Sequence, residues 1–269
     1  MAISPLSQVD PKAELASDVE VGPFCFVGPD VAIGRGTILH PGATVVGRTR
    51  LGERNVLFPH VSIGTPPQDI SYHDEPTETI IGDGNVFREC VTVHRGTKKD
   101  AGVTRIGSAC YLMACSHVAH DSVLGDGIIF GNNVLIGGHV RIESGVNING
   151  GAAVHPFTTV GRLAYIGGLS RIVQDVPPFM IVEGHPSRVR GVNAVGIRRA
   201  GIPEEVAESV GRAYRRIYRY GRPRGEVLDE MGREDGWPEE VRYLCDFLRR
   251  SADGKHGRYR ESLRKTPPV

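Results

Sequence analysis

Aliphatic side chains recur at every sixth position of this chain. The series runs Val9, Leu15, Val21, Val27, Ile33, Leu39, Val45, Leu51, Leu57, Ile63 without a break and resumes at Ile81, Phe87 and Val93. It then continues through Ile106, Leu112, Val118, Leu124, Phe130, Ile136, Ile142, Ile148, Val154, Val160, Ile166 and Ile172. A second column four residues later holds mostly small or β-branched residues, among them Val19, Cys25, Val31, Thr37, Ala43, Cys110, Ser116, Val134, Val140 and Ala152. An α-helix repeats its apolar face every three to four residues and a flat strand every two. Period six with glycine often following the aliphatic residue (35 glycines in 269 residues) fits a solenoid. Each hexad makes one short strand and one turn, and three hexads close one coil.

This is the hexapeptide-repeat pattern of an all-β left-handed parallel β-helix. It predicts 25 hexads over about 9–177, each coil burying its aliphatic column on the next. After Pro177-Pro178 the period stops, and a C-terminal α-helical domain is expected. The expected division is a β-helix domain over 1–189 and a helical domain over 190–269. Val206, Val210, Ala213, Tyr214 and Ile217 form a helical stripe behind Pro203, and a second helix is expected from Glu239 to about Arg250.

Charge and composition exclude several classes. Lys and Arg total 32 and Asp and Glu 31, so neither a globally basic nucleic-acid coat nor a long acidic tail is present. No run approaches the ~18 apolar residues of a membrane span. The N-terminus carries no signal-peptide pattern, and the five cysteines include no CxxC pair, which points to reduced thiols in a cytoplasmic protein. From Arg198 onward there are 17 basic and 13 acidic residues, a surplus that suits an acidic partner or simply solvated helix faces.

Two interruptions, Asp69 to Ile80 and Lys99 to Arg105, are not needed by regular coils and are candidate loops on a binding face. Outward-facing chemistry gathers in the third run of hexads. His117, His120 and Asp121 lie in one hexad-and-turn; Gly138 and His139 follow three hexads later, one coil on; His155 lies just short of one further coil beyond His139. His120 with Asp121 suits a general base whose imidazolium is oriented and stabilised by a carboxylate. Histidines on adjacent coils are also compatible with a zinc site, as in a hydratase-like trimer.

The motifs become specific when read in order: Pro67-Gln68-Asp69, Glu75-Pro76-Thr77, His94-Arg95-Gly96-Thr97, His117-Val118-Ala119-His120-Asp121, Gly138-His139-Val140, Gln174-Asp175-Val176-Pro177-Pro178 and Gly191-Val192-Asn193. Together they resemble the bacterial acyl-carrier-protein–UDP-N-acetylglucosamine O-acyltransferase family, which opens lipid A synthesis. The resemblance implies a homotrimer with sites between subunits and no cofactor or metal. It implies transfer of a 3-hydroxyacyl group from acyl carrier protein to the sugar 3-hydroxyl of a UDP-sugar. It also implies His120 as base, Asp121 as its partner and the Gly138 N–H at the oxyanion. Asp69, His117 and His139 would line the sugar and acyl sites. His155, Asn193 and Arg199 would contact nucleotide or acyl donor, and Gly168 would limit acyl length. The chain departs from the family pattern at Ser71, usually lysine, at Pro156, usually glutamine, and at Val195, usually glutamate. An acyltransferase for another nucleotide sugar, such as a 3-amino sugar, and a non-catalytic solenoid are the remaining alternatives.

Overall fold

The computed structural model describes residues 2–264. Short strands, most of two residues, form three parallel sheets of 11, 9 and 8 strands, and the chain visits each sheet once per coil. An uninterrupted coil is three hexads long, as where Leu135 pairs with His117. The sheets meet along three corners, so the solenoid is a triangular prism.

Both predicted columns point inward. Val27, Leu39, Leu57, Ile63, Leu112, Val118, Phe130 and Ile148 are buried, as are Val19, Cys25, Ala43, Val134 and Ala152 from the second column. Where that column is polar it forms its own ladder. Thr37, Asn55 and Asn85 are buried on successive coils, and the Asn55 carboxamide oxygen accepts from the Asn85 side-chain amide at 2.9 Å and backbone N–H at 3.0 Å. The Asn85 oxygen accepts in turn from the Cys110 N–H at 2.8 Å. Along this ladder buried donors and acceptors satisfy each other, whereas the buried Ser116 and Thr158 hydroxyls of the same column have no hydrogen-bond partner among the described residues. All five cysteines are free thiols.

The first coil starts earlier than the hexad series, with the strand Ala2–Ile3 pairing with Glu20–Val21. Ile3 stands six residues before Val9 and keeps the hexad register, although it is exposed at this open end. The other end differs from the expected switch to helix. The strand Met180–Gly184 continues the first sheet beside Tyr165–Ile166, then turns back antiparallel into Ser187–Val192. Residue 190, where helix was expected to begin, therefore lies in a hairpin strand that caps the prism.

Among the described residues five helices follow: α1 Ala194–Arg199, α2 Glu204–Tyr218, α3 Arg224–Arg233, α4 Glu239–Ala252 and α5 Tyr259–Ser262. The stripe on α2 buries Val210, Ala213, Tyr214 and Ile217, and α4 buries Val241, Leu244, Cys245 and Leu248. The tail docks on the β-helix through polar contacts: the Tyr243 phenol donates to Glu143, and the Asp175 carboxylate accepts from the Tyr259 N–H at 2.9 Å. No helix among the described residues is long and apolar enough to cross a membrane.

Candidate active site

Both insertions leave the solenoid at the same corner. The first lies between the strands Ser62–Thr65 and Glu78–Ile81, the second between Thr92–His94 and Val103–Ile106. They lengthen two successive coils without disturbing the stacking, so that Ser62 still pairs with Thr92 and Thr92 with His117. On the next two coils this corner carries His120-Asp121, between His117–Val118 and Val123–Leu124, and then Gly138-His139. The corner turn places Asp121 at φ 60° and His139 at φ 61°, left-handed conformations that are uncommon outside glycine and most tolerated by Asn, Asp and His.

Asp121 is buried beneath the second insertion and fully engaged. Its Oδ1 accepts from the Thr97 N–H at 2.9 Å, and its Oδ2 accepts from the Thr97 hydroxyl at 2.6 Å. His120 Nδ1 lies 2.8 Å from the same Oδ2. With the carboxylate as acceptor, Nδ1 carries the proton and donates, which leaves the Nε2 lone pair free. A backbone bond from the Asp121 N–H to the Thr104 hydroxyl, at 2.8 Å, fixes the turn. The expectation of outward-pointing side chains therefore needs refining: the pair projects from the coil, but the insertion covers it, leaving the His120 side chain only 16% exposed.

The coil above is glycine for a steric reason. A Cβ at Gly138 would sit 2.6 Å from His120 Cε1 and 2.8 Å from Nε2. The backbone N–H of Gly138 makes no backbone hydrogen bond among the described residues, so a donor is available beside the imidazole. His139 stands edge-on to His120, ring centroids 5.1 Å apart, and stacks on Phe157 at 4.5 Å. Burial lowers the His139 pKa despite the nearby carboxylates of Asp121 and Asp100. His117 Nδ1 lies 2.8 Å from the Thr92 hydroxyl, and its ring meets His94 edge-on at 4.7 Å. Burial also lowers the His117 pKa and pushes that of His94 down to about 4, with His117 and His120 adding to the latter shift.

The insertions interlock around this group. Asp69 Oδ1 accepts from the Ser71 N–H at 2.9 Å and hydroxyl at 2.8 Å, and its Oδ2 accepts from Lys99 Nζ at 2.7 Å. Desolvation raises the Asp69 pKa, but the Lys99 ammonium and the Ser71 donors outweigh it, and the carboxyl sits well below the usual carboxylate range. The buried Arg95 guanidinium donates to the Tyr72 hydroxyl at 2.8 Å, to the Gly64 carbonyl at 3.1 Å and to Asp74 at 2.9 Å.

The other expected residues lie elsewhere. His155 is exposed, its Nδ1 3.0 Å from the Pro156 carbonyl, and Pro156 packs against Gly137 on the coil below. Asn193 and Arg199 line a separate cavity of about 660 Å³ on the first sheet, with Ile129, Leu163, Tyr165 and Val195. Asn193 also caps α1: its Oδ1 accepts from the Gly196 N–H at 3.0 Å, and its amide donates to the Leu163 carbonyl at 2.8 Å. Gly168 is exposed at the corner between the first and second sheets. Sequence reasoning did not assign Thr97, Asp100, Thr104, Phe157 or Arg260. Thr97 and Asp100 belong to a motif and an insertion already singled out, whereas nothing near Arg260 signals its contact with a coil far earlier in the chain.

His120, Asp121 and His139 also form the one cluster among the described residues with metal-compatible donors, their atoms lying within 4.8 Å of one another. The Nδ1 atom of each histidine faces a carboxylate, at 2.8 Å for His120 to Asp121 and 3.2 Å for His139 to Asp100, which fixes both rings and leaves their Nε2 atoms open.

A triangular parallel β-helix with a histidine–carboxylate pair under an insertion at one corner, followed by a helical tail, is the architecture of hexapeptide-repeat acyltransferases. Residues 175–256 match a family profile described as UDP N-acetylglucosamine O-acyltransferase, domain 2. The chain is 43% identical over 255 residues to the acyl-[acyl-carrier-protein]–UDP-N-acetylglucosamine O-acyltransferase of Syntrophobacter fumaroxidans, covering 94% of this chain and 99% of that protein. The enzyme of the same name from Halorhodospira halophila is 42% identical, with 94% and 98% covered. The UDP-N-acetylglucosamine acyltransferase structure from Bacteroides fragilis superimposes with a TM-score of 0.88 at 35% identity, covering 92% of this chain and 96% of that one. The chain belongs to the acyl-[acyl-carrier-protein]–UDP-N-acetylglucosamine O-acyltransferase family, and its β-helix is the left-handed one.

Proposed function

We propose that the chain transfers a 3-hydroxyacyl group from acyl carrier protein to the 3-hydroxyl of UDP-N-acetylglucosamine, the opening step of lipid A synthesis, with His120 as general base. The observation that carries the mechanism is the His120 Nδ1–Asp121 contact at 2.8 Å beneath Gly138. Asp121 holds the tautomer that leaves Nε2 unprotonated. His120 Nε2 removes the proton from the acceptor hydroxyl as its oxygen attacks the thioester carbonyl, and Asp121 stabilises the imidazolium. The Gly138 N–H donates to the developing oxyanion. The imidazolium then returns the proton to the departing thiolate, which leaves the base ready for another turnover. No cofactor enters this scheme.

The same reading makes the protein a homotrimer with sites between subunits. In one chain Asn193 and Arg199 line a cavity on the first sheet, whereas His120 stands at the corner of the other two. A neighbour's cavity set against that corner unites them. Exposed Phe26, Ile129, Leu135 and Leu169 on the first two sheets and their shared corner supply the apolar surface such packing needs. His155 and Arg199 then contact the nucleotide or acyl donor, with Arg199 suited to phosphate.

The departures at Ser71, Pro156 and Val195 all concern substrate contacts, so the acceptor is the part to assay directly. The protein is incubated with acyl carrier protein thioesters and a panel of UDP-sugars, including a 3-amino sugar, and products are identified by mass. Acylation of UDP-N-acetylglucosamine at oxygen supports the proposal. Exclusive acylation of the amino sugar overturns the acceptor while keeping the base. Loss of turnover on metal removal overturns the metal-free scheme.

Gly168 is assigned to the acyl-length limit. Its Cβ position meets the Gly150 carbonyl at 3.3 Å, a tight contact, and Asn149 Cβ at 3.9 Å, so a side chain there fits after a shift of a few tenths of an ångström. We infer that the acyl chain lies in a groove along the solenoid between subunits, which glycine leaves open to a long chain, on the order of fourteen carbons, at ~0.8 kcal/mol per buried methylene. Gly168→Met is expected to move the preference to shorter acyl chains while keeping most of the short-chain rate. Competition between acyl carrier proteins of different chain lengths measures this, and an equal loss at every length removes the assignment.

A further inference from the structure

The C-terminal segment returns to the active-site corner and brings Arg260 against Asp100 and His139. After α4 the chain is clamped to the last coils. The Arg258 guanidinium donates to the Val173 carbonyl at 2.5 Å and pairs with Glu261, and the Asp175 carboxylate accepts from the Tyr259 N–H at 2.9 Å. This clamp aims the Arg260 side chain at the histidines. Arg260 donates to the His139 carbonyl at 2.9 Å, and its other terminal nitrogen lies 3.6 Å from Asp100 Oδ2. Asp100, in the second insertion, places that same Oδ2 3.2 Å from His139 Nδ1. One carboxylate oxygen therefore faces both a tail arginine and an active-site histidine.

We propose that Asp100 and Arg260 are positioning residues: together they strap the second insertion and His139 over the His120–Asp121 pair. The chemistry on each side is specific. Asp100 accepts the His139 Nδ1–H and sets the ring plane, which Phe157 supports from its face. His139 then presents Nε2 toward Asp121 Oδ2, 3.8 Å away, too far for a hydrogen bond but close enough to fill the space beside the base. The same insertion carries Thr97, whose N–H and hydroxyl orient Asp121, and Lys99, which holds Asp69. Releasing the strap would thus loosen the base, its carboxylate and an expected substrate contact together. Arg264 lies over the outer face of Phe157 at 5.1 Å and extends the tail contact by one more residue.

The inference rests on His120 acting as the base, and charge makes the two testable apart. The ionisable groups around the imidazoles are Asp121 on their own corner, His94 and His117 on the second sheet, Asp100 from the insertion and Arg260 from the tail. Asp175 and Arg141 stand behind Arg260 and act on it electrostatically. A carboxylate near the base favours its protonated form and a guanidinium disfavours it. Removing the Asp100 charge therefore extends activity to lower pH, and removing the Arg260 charge curtails it.

The experiment compares kcat, KM and the pH profile of kcat/KM for the full-length enzyme and for Asp100→Asn, Arg260→Ala and Arg260→Lys. Thermal unfolding is followed alongside. Displacing reacting groups by about 1 Å costs on the order of 10²-fold, so Arg260→Ala and Asp100→Asn are expected to lose roughly 10–100-fold in kcat, with KM for the acceptor raised as the Asp69 contact loosens. The acid limb is expected to move down for Asp100→Asn and up for Arg260→Ala, and Arg260→Lys to recover much of the loss. Wild-type kcat in Arg260→Ala, or acid limbs that stay in place while only unfolding temperature falls, overturns the strap. His120→Ala separates the premises. If it retains turnover, the base assignment fails whatever the strap does. If it abolishes turnover while the opposed shifts are missing, the strap alone fails.

Discussion

Replacing His120 by alanine is expected to lower turnover by roughly 10²–10⁴-fold, the usual loss when a positioned general base is removed. The fold should survive, because the truncation strands no buried partner. Asp121 keeps both bonds from Thr97, and its N–H keeps the Thr104 hydroxyl. His120 contributes nothing to the inward columns that hold the coils together. The measurement is single-turnover acyl transfer by the mutant, with circular dichroism and sedimentation to establish that fold and assembly are unchanged. A folded, assembled mutant with near-native rates would remove His120 from the mechanism and return attention to His117 or His139. Asp121→Ala is not an equivalent probe. Asp121 is 3% exposed and ties the second insertion to the corner, so losing it confounds catalysis with local order.

The fold was legible because its rule is local and repeated. Each hexad states its own strand, turn and inward residue, so 25 repetitions outweigh any ambiguous one. The capping hairpin was not legible, because Met180–Gly184 and Ser187–Val192 are held by a single pairing with the last coil and obey no six-residue rule. The helix α3 was missed for a related reason. Its buried face is only Val227, Leu228 and Met231, too short a stripe to stand out between two stronger ones. At the site, spacing could stack Gly138 and His139 on His120 and Asp121, because three hexads make a coil. It could not place Asp100 or Arg260, whose positions depend on where an irregular insertion folds and where a tail lands. Nor could spacing foresee that Asn193 would serve as a helix cap, a role its amide fills here through Gly196 and Leu163. Much of the tail's basic charge is likewise spent internally. Arg216 pairs with Glu234, Arg222 with Glu230 and Arg249 with Asp246; each pair consumes one acid with one base, so these arginines are engaged while the net basic surplus is unchanged.

Gly138→Ala is expected to be nearly as damaging as loss of the base, although it adds one methyl group. The backbone is not the obstacle, since Gly138 is not among the residues at positive φ. The obstacle is the imidazole. The new Cβ would lie 2.6 Å from His120 Cε1 and 2.8 Å from Nε2, distances that real contacts do not sustain. The ring can yield only by swinging away from Asp121, losing the 2.8 Å bond that fixes its tautomer, or by forcing the two coils apart. The coils are pinned on either side by the His139 N–H to His120 carbonyl bond at 3.0 Å and the Ala119 N–H to Ile136 carbonyl bond at 3.0 Å, so the ring should move first. A displacement of about 1 Å is enough for a loss on the order of 10²-fold, and a shifted Gly138 N–H would add to it if that group serves the oxyanion. The double mutant distinguishes these routes. If the methyl group acts only by displacing the imidazole, adding Gly138→Ala to His120→Ala costs little more, because there is no ring left to displace. If the losses multiply instead, the Gly138 backbone contributes independently of His120, as a donor should. Native kcat in the single mutant would mean that the corner can open without consequence, and the tight stacking of Gly138 on His120 would then have no part in catalysis.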